Sequence, residues 1–394
     1  MSADPVVILS YARTPMGGFQ GALSPLKATE LGSVAVKAAV ERAGIDGSRI
    51  ERIYMGCVLP AALGQAPARQ AALGAGLPES VQATTVNKMC GSGMQASIMA
   101  VEALQAGAID VAVAGGMESM TNAPYAMGKH RGGARIGHDR IIDTMMMDGL
   151  EDAYTPGKPM GAFAQDTAND YRFTRDMQDA FAVRSLERAR AAIASGAFID
   201  EIVAVEIKTR AGSVTIDTDE QPSQAKPDKI PTLRPAFAAD GTITAASSAS
   251  ISDGAAALVL TRESVAGQLG LKPIARVVGS AAHAHAPALF TTAPVKAIET
   301  LLGKIGWSVE DVDLFEVNEA FAVVAMIAAK DLHIPDEKIN VNGGATALGH
   351  PIGASGARII ATLLSALERR GGRRGIASLC IGGGEATAMA FELI

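Results

Sequence analysis

The stretch Val86-Asn-Lys-Met-Cys-Gly-Ser-Gly-Met-Gln-Ala96 joins a short β-rich segment to an alanine-rich run that continues without proline to about Ala106. Gly91 and Gly93 allow the backbone to turn sharply and a ligand to come close to Cys90. The run behind them has the spacing of a buried helix. We therefore predict a strand-to-helix turn at Cys90, where helix amide groups would stabilise the thiolate that attacks acyl groups. A structural cysteine is the alternative, since free cysteine is among the most buried residue types.

The composition of the chain argues against several classes of protein. At 394 residues it can hold two or three domains, and its formal net charge of −6 argues against general binding of nucleic acid. No apolar run reaches the ~18 residues of a membrane span. The N-terminus lacks the basic start and apolar core of a secretory signal. We therefore expect a cytoplasmic protein without a membrane partner.

Cysteine and histidine spacing argues against a disulfide framework and against a metal site. The chain has three cysteines, Cys57, Cys90 and Cys380, and this odd, low count without an export signal indicates reduced thiols. No CxxC spacing occurs and no group of histidines has metal-ligand spacing, so we predict no metal. Cys57 is assigned to packing, because no glycine-rich turn follows it. His283 and His285 lack a third partner, and we place them on a loop or strand surface.

Strand-like and helical segments alternate in the first part of the chain. Val6–Ala12, Ile50–Val58 and Val111–Glu118 are apolar and predicted as buried strands, with Thr84–Asn87 leading into the Cys90 turn. Ala28–Ala43 has helical spacing and ends before a glycine. This alternation is typical of a layered α/β domain.

The last part of the chain repeats this order at a nearly constant offset. The matched pairs are the helix ending at Gly44 with the helix ending at Gly306, Ile50–Met55 with Val312–Val317, Gly91–Ala96 with Gly353–Ile359, and Val111–Glu118 with Ser378–Glu385. Four matches in the same order indicate two similar halves that pack together.

The residues between these halves differ in character, with many charges and a proline-rich stretch at 222–235. Asp176–Ser195 is predicted as a helix with one apolar stripe, and Thr242–Thr261 returns the chain to the core as a strand. The length of the segment favours a lid or substrate-binding role over a plain solvated excursion. We therefore divide the chain into an N-terminal half (1–120), an inserted loop domain (121–241), the remainder of the N-terminal half (242–270) and a C-terminal half (271–394).

Polar or glycine-rich stretches interrupt the apolar C-terminal half at Glu316–Phe321, Asn342–Gly356 and Leu379–Gly384. His350 lies between glycines and before a proline, so we predict a turn there, and an imidazole can take a proton from a thiol near neutral pH. A cysteine beside a histidine is the recurring activated nucleophile. Cys380 precedes three glycines, whose amide groups can point at an oxyanion.

These stretches resemble the signature blocks of the thiolase family. The blocks are Asn87-Lys-Met-Cys-Gly-Ser-Gly93, Asn318-Glu-Ala-Phe-Ala322, Gly349-His-Pro-Ile-Gly-Ala-Ser-Gly-Ala-Arg358 and Cys380-Ile-Gly-Gly-Gly384. Ala12–Thr14, Gly115–Met120 and Asp253–Ala256 also fit, so the resemblance covers essentially the whole length. Within the family the chain is most similar to the biosynthetic members.

The resemblance implies a five-layered αβαβα fold, in which two similar halves stack around a pair of central helices and a loop domain is inserted in the first half. It also implies a homodimer or homotetramer, with Thr84–Asn87 near the dimer interface.

The implied reaction is a Claisen condensation of two acetyl-CoA molecules to acetoacetyl-CoA and CoA, or its reverse, through an acetyl group on Cys90. By the same resemblance His350 activates Cys90, and Cys380 moves the α-proton. The enolate oxygen would meet His350 and a water held by Asn318, while the acetyl-enzyme oxygen would meet the N–H groups of Cys90 and Gly382. The scheme needs no cofactor, because coenzyme A is substrate and product. Free cysteine has a pKa of roughly 8.5, so we expect the site to lower the pKa of one sulfur.

Contacts to coenzyme A and the acyl group are carried over position by position from the family. They are Met160, Leu233, Phe237, Ala245, Ala249, Ile251, Phe290, Ala320 and Phe321. Each of them is equally compatible with ordinary apolar lining. Two positions depart from the biosynthetic pattern: Pro159 stands where relatives usually have histidine, and Ala249 where they usually have serine. These departures put the acyl-chain preference in doubt, although a ring at Phe290 favours short or branched chains.

Three alternatives stay open at this point. A degradative 3-ketoacyl-CoA thiolase of broader chain length would use the same residues and differ only in the size of the pocket. A non-catalytic acyl-CoA-binding scaffold would not need both cysteines together with His350 and Asn318. A decarboxylating ketoacyl synthase commonly pairs one cysteine with histidines and would not need Cys380.

Overall fold

The computed structural model describes residues 4–210 and 212–394. The strands are β1 (Val6–Arg13), β2 (Gly17–Gly18), β3 (Arg52–Gly56), β4 (Gln82–Val86), β5 (Val111–Ser119), β6 (Tyr125–Met127), β7 (Ile141–Asp143), β8 (Val205–Thr209), β9 (Gly212–Ile216), β10 (Ser252–Arg262), β11 (Ala275–Ala284), β12 (Leu314–Val317), β13 (Arg374–Ile381) and β14 (Glu385–Leu393). The α-helices are α1 (Ala28–Ala43), α2 (Pro67–Gly74), α3 (Ser92–Gln105), α4 (Met160–Asp170), α5 (Arg175–Ala194), α6 (Gln221–Gln224), α7 (Glu263–Gln268), α8 (Ala293–Ile305), α9 (Ala322–Asp331), α10 (Ala345–Leu348) and α11 (Ser355–Arg370).

The strand order shows the duplication directly. Within the described ranges, a ten-stranded sheet runs β12-β13-β14-β11-β1-β10-β5-β3-β4, with β2 beside β10. The order β3-β5-β10-β1 matches β12-β13-β14-β11, and in both series the first pair is parallel and the next two pairs are antiparallel. The two series meet where β1 pairs with β11 at Val7–Arg276 and Ile8–Ala275.

Hydrophobic cores separate five layers. One core fills the space between α1, α2 and the N-terminal strands, with Val36 and Val113 among its members. A second encloses α3 and α11 between the two series of strands, and it includes Leu104 and Ile360. A third lies between the C-terminal strands and α8 and α9, around Leu301. The predicted αβαβα layering is confirmed.

Glycines let the two central helices pack backbone to backbone. A Cβ atom on Gly93 would lie 2.9 Å from the amide nitrogen of Ala357, and one on Gly356 would collide with the amide nitrogen of Met94. The contact is reciprocal between α3 and α11, as expected for a repeated unit. It brings the first turns of both helices together, and with them the loops that precede Ser92 and Ser355.

Most predicted elements are present, with shifts at their ends. The helix predicted at Ala28–Ala43 is α1, and the one predicted at Asp176–Ser195 is α5, displaced by one residue at each end. The strand predicted at Ile50–Val58 is shorter as β3, because Val58 and the next residue leave the sheet to donate backbone hydrogen bonds to Glu118.

One predicted match between the halves is wrong at the level of residues. Gly115 and Gly116 lie inside β5, where added Cβ atoms would collide with the carbonyl oxygens of Ala256 and Gly353. In the matched stretch, Gly382–Gly384 follow β13, and two of these glycines, Gly383 and Gly384, have φ angles of 94° and 86°. The first pair permits close packing, whereas the second permits a left-handed turn. The two glycine runs therefore serve different purposes.

The residues between the halves form two small hairpins, β6–β7 and β8–β9, together with α4, α5 and α6. Arg13 on β1 anchors this region to the core, since its buried guanidinium pairs with Glu201 at 2.6 Å and with Asp219 at 2.7 Å. The domain boundaries drawn at 120, 241 and 270 stay predictions, and residues 1–3 and 211 lie outside the described part.

Candidate active site

Cys90 lies in the turn between β4 and α3, as predicted. Met89 before it has a φ angle of 47°, and Ser92 holds the turn, because its hydroxyl accepts from the Lys88 amide at 2.8 Å and donates to the Met89 carbonyl at 2.6 Å. The space beside the turn is closed, since a Cβ atom on Gly91 would collide with the side chain of Ile381. The sulfur is thus held by a strained, rigid backbone at the start of a buried helix.

The environment of the Cys90 sulfur differs from the expectation of a stabilised thiolate. The backbone N–H groups of Gly382 and Cys90 bond to the sulfur and lower its pKa, but burial outweighs them and raises the pKa of Cys90 to about 11. The expectation of a lowered sulfur pKa is therefore wrong for the ligand-free chain. The same two N–H groups converge on one point, which is the arrangement needed to receive an oxyanion.

His350 approaches from the loop before α11, where Gly349 has a φ angle of 103°. The hydroxyl of Ser355 donates to the Pro351 carbonyl at 2.9 Å and lies 2.5 Å from His350 Nδ1. Because the Ser355 hydroxyl donates its proton to the Pro351 carbonyl, its oxygen can only accept from His350. We therefore assign the proton of the imidazole ring to Nδ1 and the lone pair to Nε2. Burial and then the charge of Arg358 lower the pKa of His350 to about 3. The imidazole is therefore neutral near pH 7 and can accept a proton.

Asn318 follows β12 and is buried beside His350. Its side-chain nitrogen lies 3.5 Å from both ring nitrogens of His350, and its Oδ1 accepts from Arg358 Nη2 at 3.3 Å. Arg358 in turn lies 3.9 Å from the Glu316 carboxylate. The amide of Asn318 is thus placed between a buried cation and the imidazole.

Cys380 is the penultimate residue of β13, and Gly382 follows in the turn to β14. The Cys380 thiol is fully buried. Burial, reinforced by the neighbouring Cys90 sulfur, raises its pKa well above the ordinary value. Both sulfurs are therefore thiols in the free protein and lie close enough to influence each other.

A cavity of about 80 Å³ joins these groups. Among the predicted residues, those that line it are Cys90, His350, Cys380, Gly382, Met160, Ala249, Ile251, Phe290, Ala320 and Phe321. Asn318 lies behind His350 rather than on the wall. The structure therefore gathers the predicted catalytic groups around one small space.

Comparison with known proteins decides the family. The model of the thiolase N-terminal domain matches residues 6–264, and that of the thiolase C-terminal domain matches residues 271–393. The chain belongs to the thiolase family. It has the thiolase fold, as a crystal structure of an acetyl-CoA acetyltransferase from Bacillus anthracis superposes with a TM-score of 0.96 at 41% identity, covering 99% of both chains.

Similar thiolases come from distant organisms. Acetyl-CoA acetyltransferase 2 of Arabidopsis thaliana is 50% identical over 99% of this chain and 97% of its own length. An acetyl-CoA acetyltransferase of Rhizobium meliloti is 47% identical over the full length of both chains. A thiolase of Ascaris suum, solved in complex with coenzyme A, has a TM-score of 0.94 at 42% identity and covers 99% of this chain and 100% of its own.

Leu233 and Ala245 do not reach the small cavity. They line a separate groove of about 360 Å³ with Lys226 and Lys229. Ser250 borders both the groove and the cavity, so the two spaces adjoin. Phe237, the remaining predicted contact, lines neither space and packs edge-on against Phe321, with ring centroids 5.8 Å apart.

The departures from the biosynthetic pattern have a structural context. Pro159 directly precedes the first residue of α4 and, unlike a histidine, has no side-chain nitrogen that can form a hydrogen bond. Ser248 turns away, because its hydroxyl donates to the Thr244 carbonyl at 2.8 Å. Ser250 reaches the cavity and lies 3.2 Å from the Ser252 hydroxyl. A serine hydroxyl is therefore present one residue after Ala249.

Sequence reasoning missed several residues of the site. Met120, Gly149, Leu150 and Ile352 also line the cavity, and the positions of Met120 and Ile352 in family blocks could have signalled those two. Glu118 was also missed: its buried carboxylate accepts the N–H groups of Val58, Leu59 and Gly353 and so ties together the loops on either side of Cys90.

No helix in 4–210 or 212–394 has both the length and the apolar character needed to cross a membrane. Within the same ranges, no three His, Cys, Asp or Glu side chains are grouped so that they could hold a metal ion.

Proposed function

We propose that this thiolase is an acetyl-CoA C-acetyltransferase, which condenses two acetyl-CoA molecules to acetoacetyl-CoA and coenzyme A and catalyses the reverse thiolysis. The observation that carries the proposal is the convergence of Cys90, His350 and Cys380 on one small cavity. The similar proteins from Arabidopsis thaliana and Rhizobium meliloti have this name and align over nearly the whole chain.

In the first half-reaction Cys90 becomes acetylated. Neutral His350 takes the Cys90 proton at Nε2 as the sulfur attacks the acetyl carbonyl. The N–H groups of Cys90 and Gly382 receive the oxyanion of the tetrahedral intermediate. Coenzyme A then leaves as a thiolate and takes the proton of Cys380. The products of this half-reaction are acetyl-Cys90, protonated His350 and the Cys380 thiolate.

In the second half-reaction a new carbon–carbon bond forms. The Cys380 thiolate removes an α-proton from a second acetyl-CoA, and the enolate oxygen is stabilised by His350 and a water held by Asn318. The enolate carbon attacks the acetyl carbonyl on Cys90, acetoacetyl-CoA departs, and His350 returns its proton to Cys90. Every proton is back in place, and the proposed steps use no group besides this chain, water and coenzyme A.

The size of the cavity favours short acyl groups. The cavity of about 80 Å³ beside Cys90 is small, which suits an acetyl or acetoacetyl group better than a long acyl chain. Phe290 and Phe321 close one wall, with ring centroids 6.3 Å apart. We expect the thiolysis rate to fall steeply beyond about four acyl carbons. Comparable rates on substrates of eight carbons would instead identify a degradative 3-ketoacyl-CoA thiolase.

The groove beside the cavity is the proposed path of coenzyme A. Lys226 and Lys229 supply positive charge for its phosphates, and Leu233 and Ala245 supply apolar contact. Ser250 lies on the boundary between this groove and the cavity that contains the Cys90 sulfur.

We also propose a homodimer or homotetramer in the cytoplasm. β4 lies at one end of the sheet order, where an edge strand can pair with a second copy. Tyr125 and Ile141, in the hairpin β6–β7, are 68% and 67% exposed and offer an apolar surface for further association. A reducing compartment suits an activity that needs two free thiols. Light scattering on the purified protein measures the oligomer size.

Mass spectrometry after incubation with acetyl-CoA tests the proposed activity. We expect one added acetyl group, on Cys90, and formation of acetoacetyl-CoA in the same mixture. Binding of coenzyme A without the adduct would instead indicate a non-catalytic scaffold.

A further inference from the structure

The first turn of α11 contacts both His350 and Asn318, the two polar side chains beside the cavity. Ser355 and Arg358 are three residues apart and lie on one face of the helix. Ser355 contacts His350, as described above, and Arg358 Nη2 donates to Asn318 Oδ1 at 3.3 Å. Glu316 and Asn318 are two residues apart on one face of the strand end, and both face Arg358.

Arg358 decides which end of the Asn318 amide faces His350. A guanidinium has five donors and no acceptor, so only the amide oxygen can bond to it. With Oδ1 turned to Arg358, the NH₂ group points to His350, 3.5 Å from both ring nitrogens. A reversed amide would place NH₂ against a buried cation, and an unsatisfied buried group costs about 1–3 kcal/mol.

The contacts of Arg358 differ from those of an arginine that serves folding alone. Arg13 is also fully buried and satisfies its guanidinium with the carboxylates of Glu201 and Asp219. Among the described residues, Nε and Nη1 of Arg358 have no hydrogen-bond partner, and Glu316 lies 3.9 Å from Nη1. The hydrogen bond that Arg358 does make is directed at Asn318, next to the imidazole.

We propose that Arg358 is a positioning residue, whose guanidinium fixes the Asn318 amide with its NH₂ group toward His350 and thereby sets a donor used in the condensation half-reaction. The proposal rests on the proposed function, in which Asn318 serves the enolate, while the N–H groups of Cys90 and Gly382 serve acetyl transfer. Loss of Arg358 should therefore slow condensation and spare the acetylation of Cys90.

The test compares the two half-reactions in the double variant R358M/E316Q. Replacing both charges avoids leaving a buried carboxylate unpaired. Acetyl transfer is measured as isotope exchange between coenzyme A and acetyl-CoA, and condensation as acetoacetyl-CoA formed. We expect exchange to stay within about threefold of the wild type and condensation to fall by about 10²–10³, the usual effect of removing one oxyanion donor.

Non-additivity provides the second readout. N318A should show the same selective loss, and adding N318A to R358M/E316Q should lower condensation by no more than about threefold further, because both changes remove one interaction. The matched control is R13K, which alters another buried arginine and should lower thermal stability without changing the ratio of the two rates. If R358M/E316Q does not fold, R358Q/E316Q replaces it and should lose condensation selectively, because a glutamine amide both donates and accepts and so no longer fixes the Asn318 amide.

Two results would overturn the proposal. The first is an equal loss of exchange and condensation in the Arg358 variants, and the second is a loss in the combined variant equal to the product of the separate losses. Either result indicates a structural role for Arg358. A wild-type protein without acetyl-Cys90 or condensation would overturn the proposed function instead, so the two failures are distinguishable.

Discussion

The two central helices begin with related sequences that do different work. Ser92-Gly-Met-Gln95 opens α3, and Ser355-Gly-Ala-Arg358 opens α11. Both serines donate to a carbonyl in the preceding loop, at 2.6 Å and 2.9 Å. The Ser92 oxygen also accepts from a backbone amide and so shapes the Cys90 turn. The Ser355 oxygen instead contacts the imidazole of His350.

This difference shows how a duplicated scaffold can yield an asymmetric site. The reciprocal packing of Gly93 and Gly356 brings two equivalent loops to one point. One loop then supplies a sulfur and the other an imidazole. The C-terminal half adds Asn318 and Cys380, so the proposed chemistry needs residues from both halves.

We expect the largest loss of activity from replacing either of the two cysteines, and the two variants should differ in whether Cys90 becomes acetylated. Cys90→Ala should lower condensation by about 10⁴–10⁶, as removal of a nucleophile does, and should abolish the acetyl adduct. Cys380→Ala should lower condensation by at least about 10², since it removes an acid–base group, yet Cys90 should still become acetylated. Mass spectrometry of both variants measures this, and an unacetylated Cys380→Ala protein would contradict the division of roles.

A large effect on stability is expected where the helices touch. Gly356→Ala and Gly93→Ala place a methyl group against backbone atoms of the facing helix, so each should lower the free energy of unfolding by about 1–3 kcal/mol. The control is Gly303→Ala in α8, whose Cβ would meet nothing within 4 Å among the described residues. It should stabilise the helix by about 0.8–1 kcal/mol. Urea unfolding compares the three, and equal stabilities would show that the contact is loose.

A smaller effect distinguishes the two serines. Ser355→Ala removes the partner of His350 Nδ1, and a hydrogen bond is worth about 0.5–1.5 kcal/mol, so turnover should fall by up to about tenfold. Ser92→Ala alters the turn without touching the base and should change turnover by less than about threefold. Steady-state rates at pH 7 measure both, and the opposite ranking would show that the shape of the turn matters more than the orientation of the base.

The last prediction concerns pH. Burial raises the pKa of Cys90 to about 11, and the pKa of His350 is lowered to about 3. Sulfur and imidazole should therefore both be neutral at pH 7. The thiolate fraction then rises with pH, and alkylation of Cys90 by iodoacetamide should increase about tenfold per pH unit from pH 7 to 10. A Cys90→Ser protein corrects for other thiols. A plateau between pH 6 and 8 would reveal a thiolate–imidazolium pair.

Much of the fold could be predicted from local pattern. The strand alternation, the helix at Ala28–Ala43 and the duplicated order follow from residue spacing, and the structure confirms them. The match between Val111–Glu118 and Ser378–Glu385 failed at its glycines, because glycine occurs both where backbones pack closely and in left-handed turns, and residue spacing does not distinguish the two. The residues predicted around the cavity came from the family resemblance, either in its blocks or position by position, whereas Gly149 and Leu150 lie in a π-helical turn that had no such match.

The sequence by itself determined the residue types of the site and the order of the elements, because both depend on neighbours along the chain. The tertiary structure alone decided the protonation of Cys90 and His350, since burial outweighs the local amide groups only once the core has closed around them. It also decided that Arg358 faces Asn318, a contact between residues far apart in sequence that depends on how α11 lies against β12.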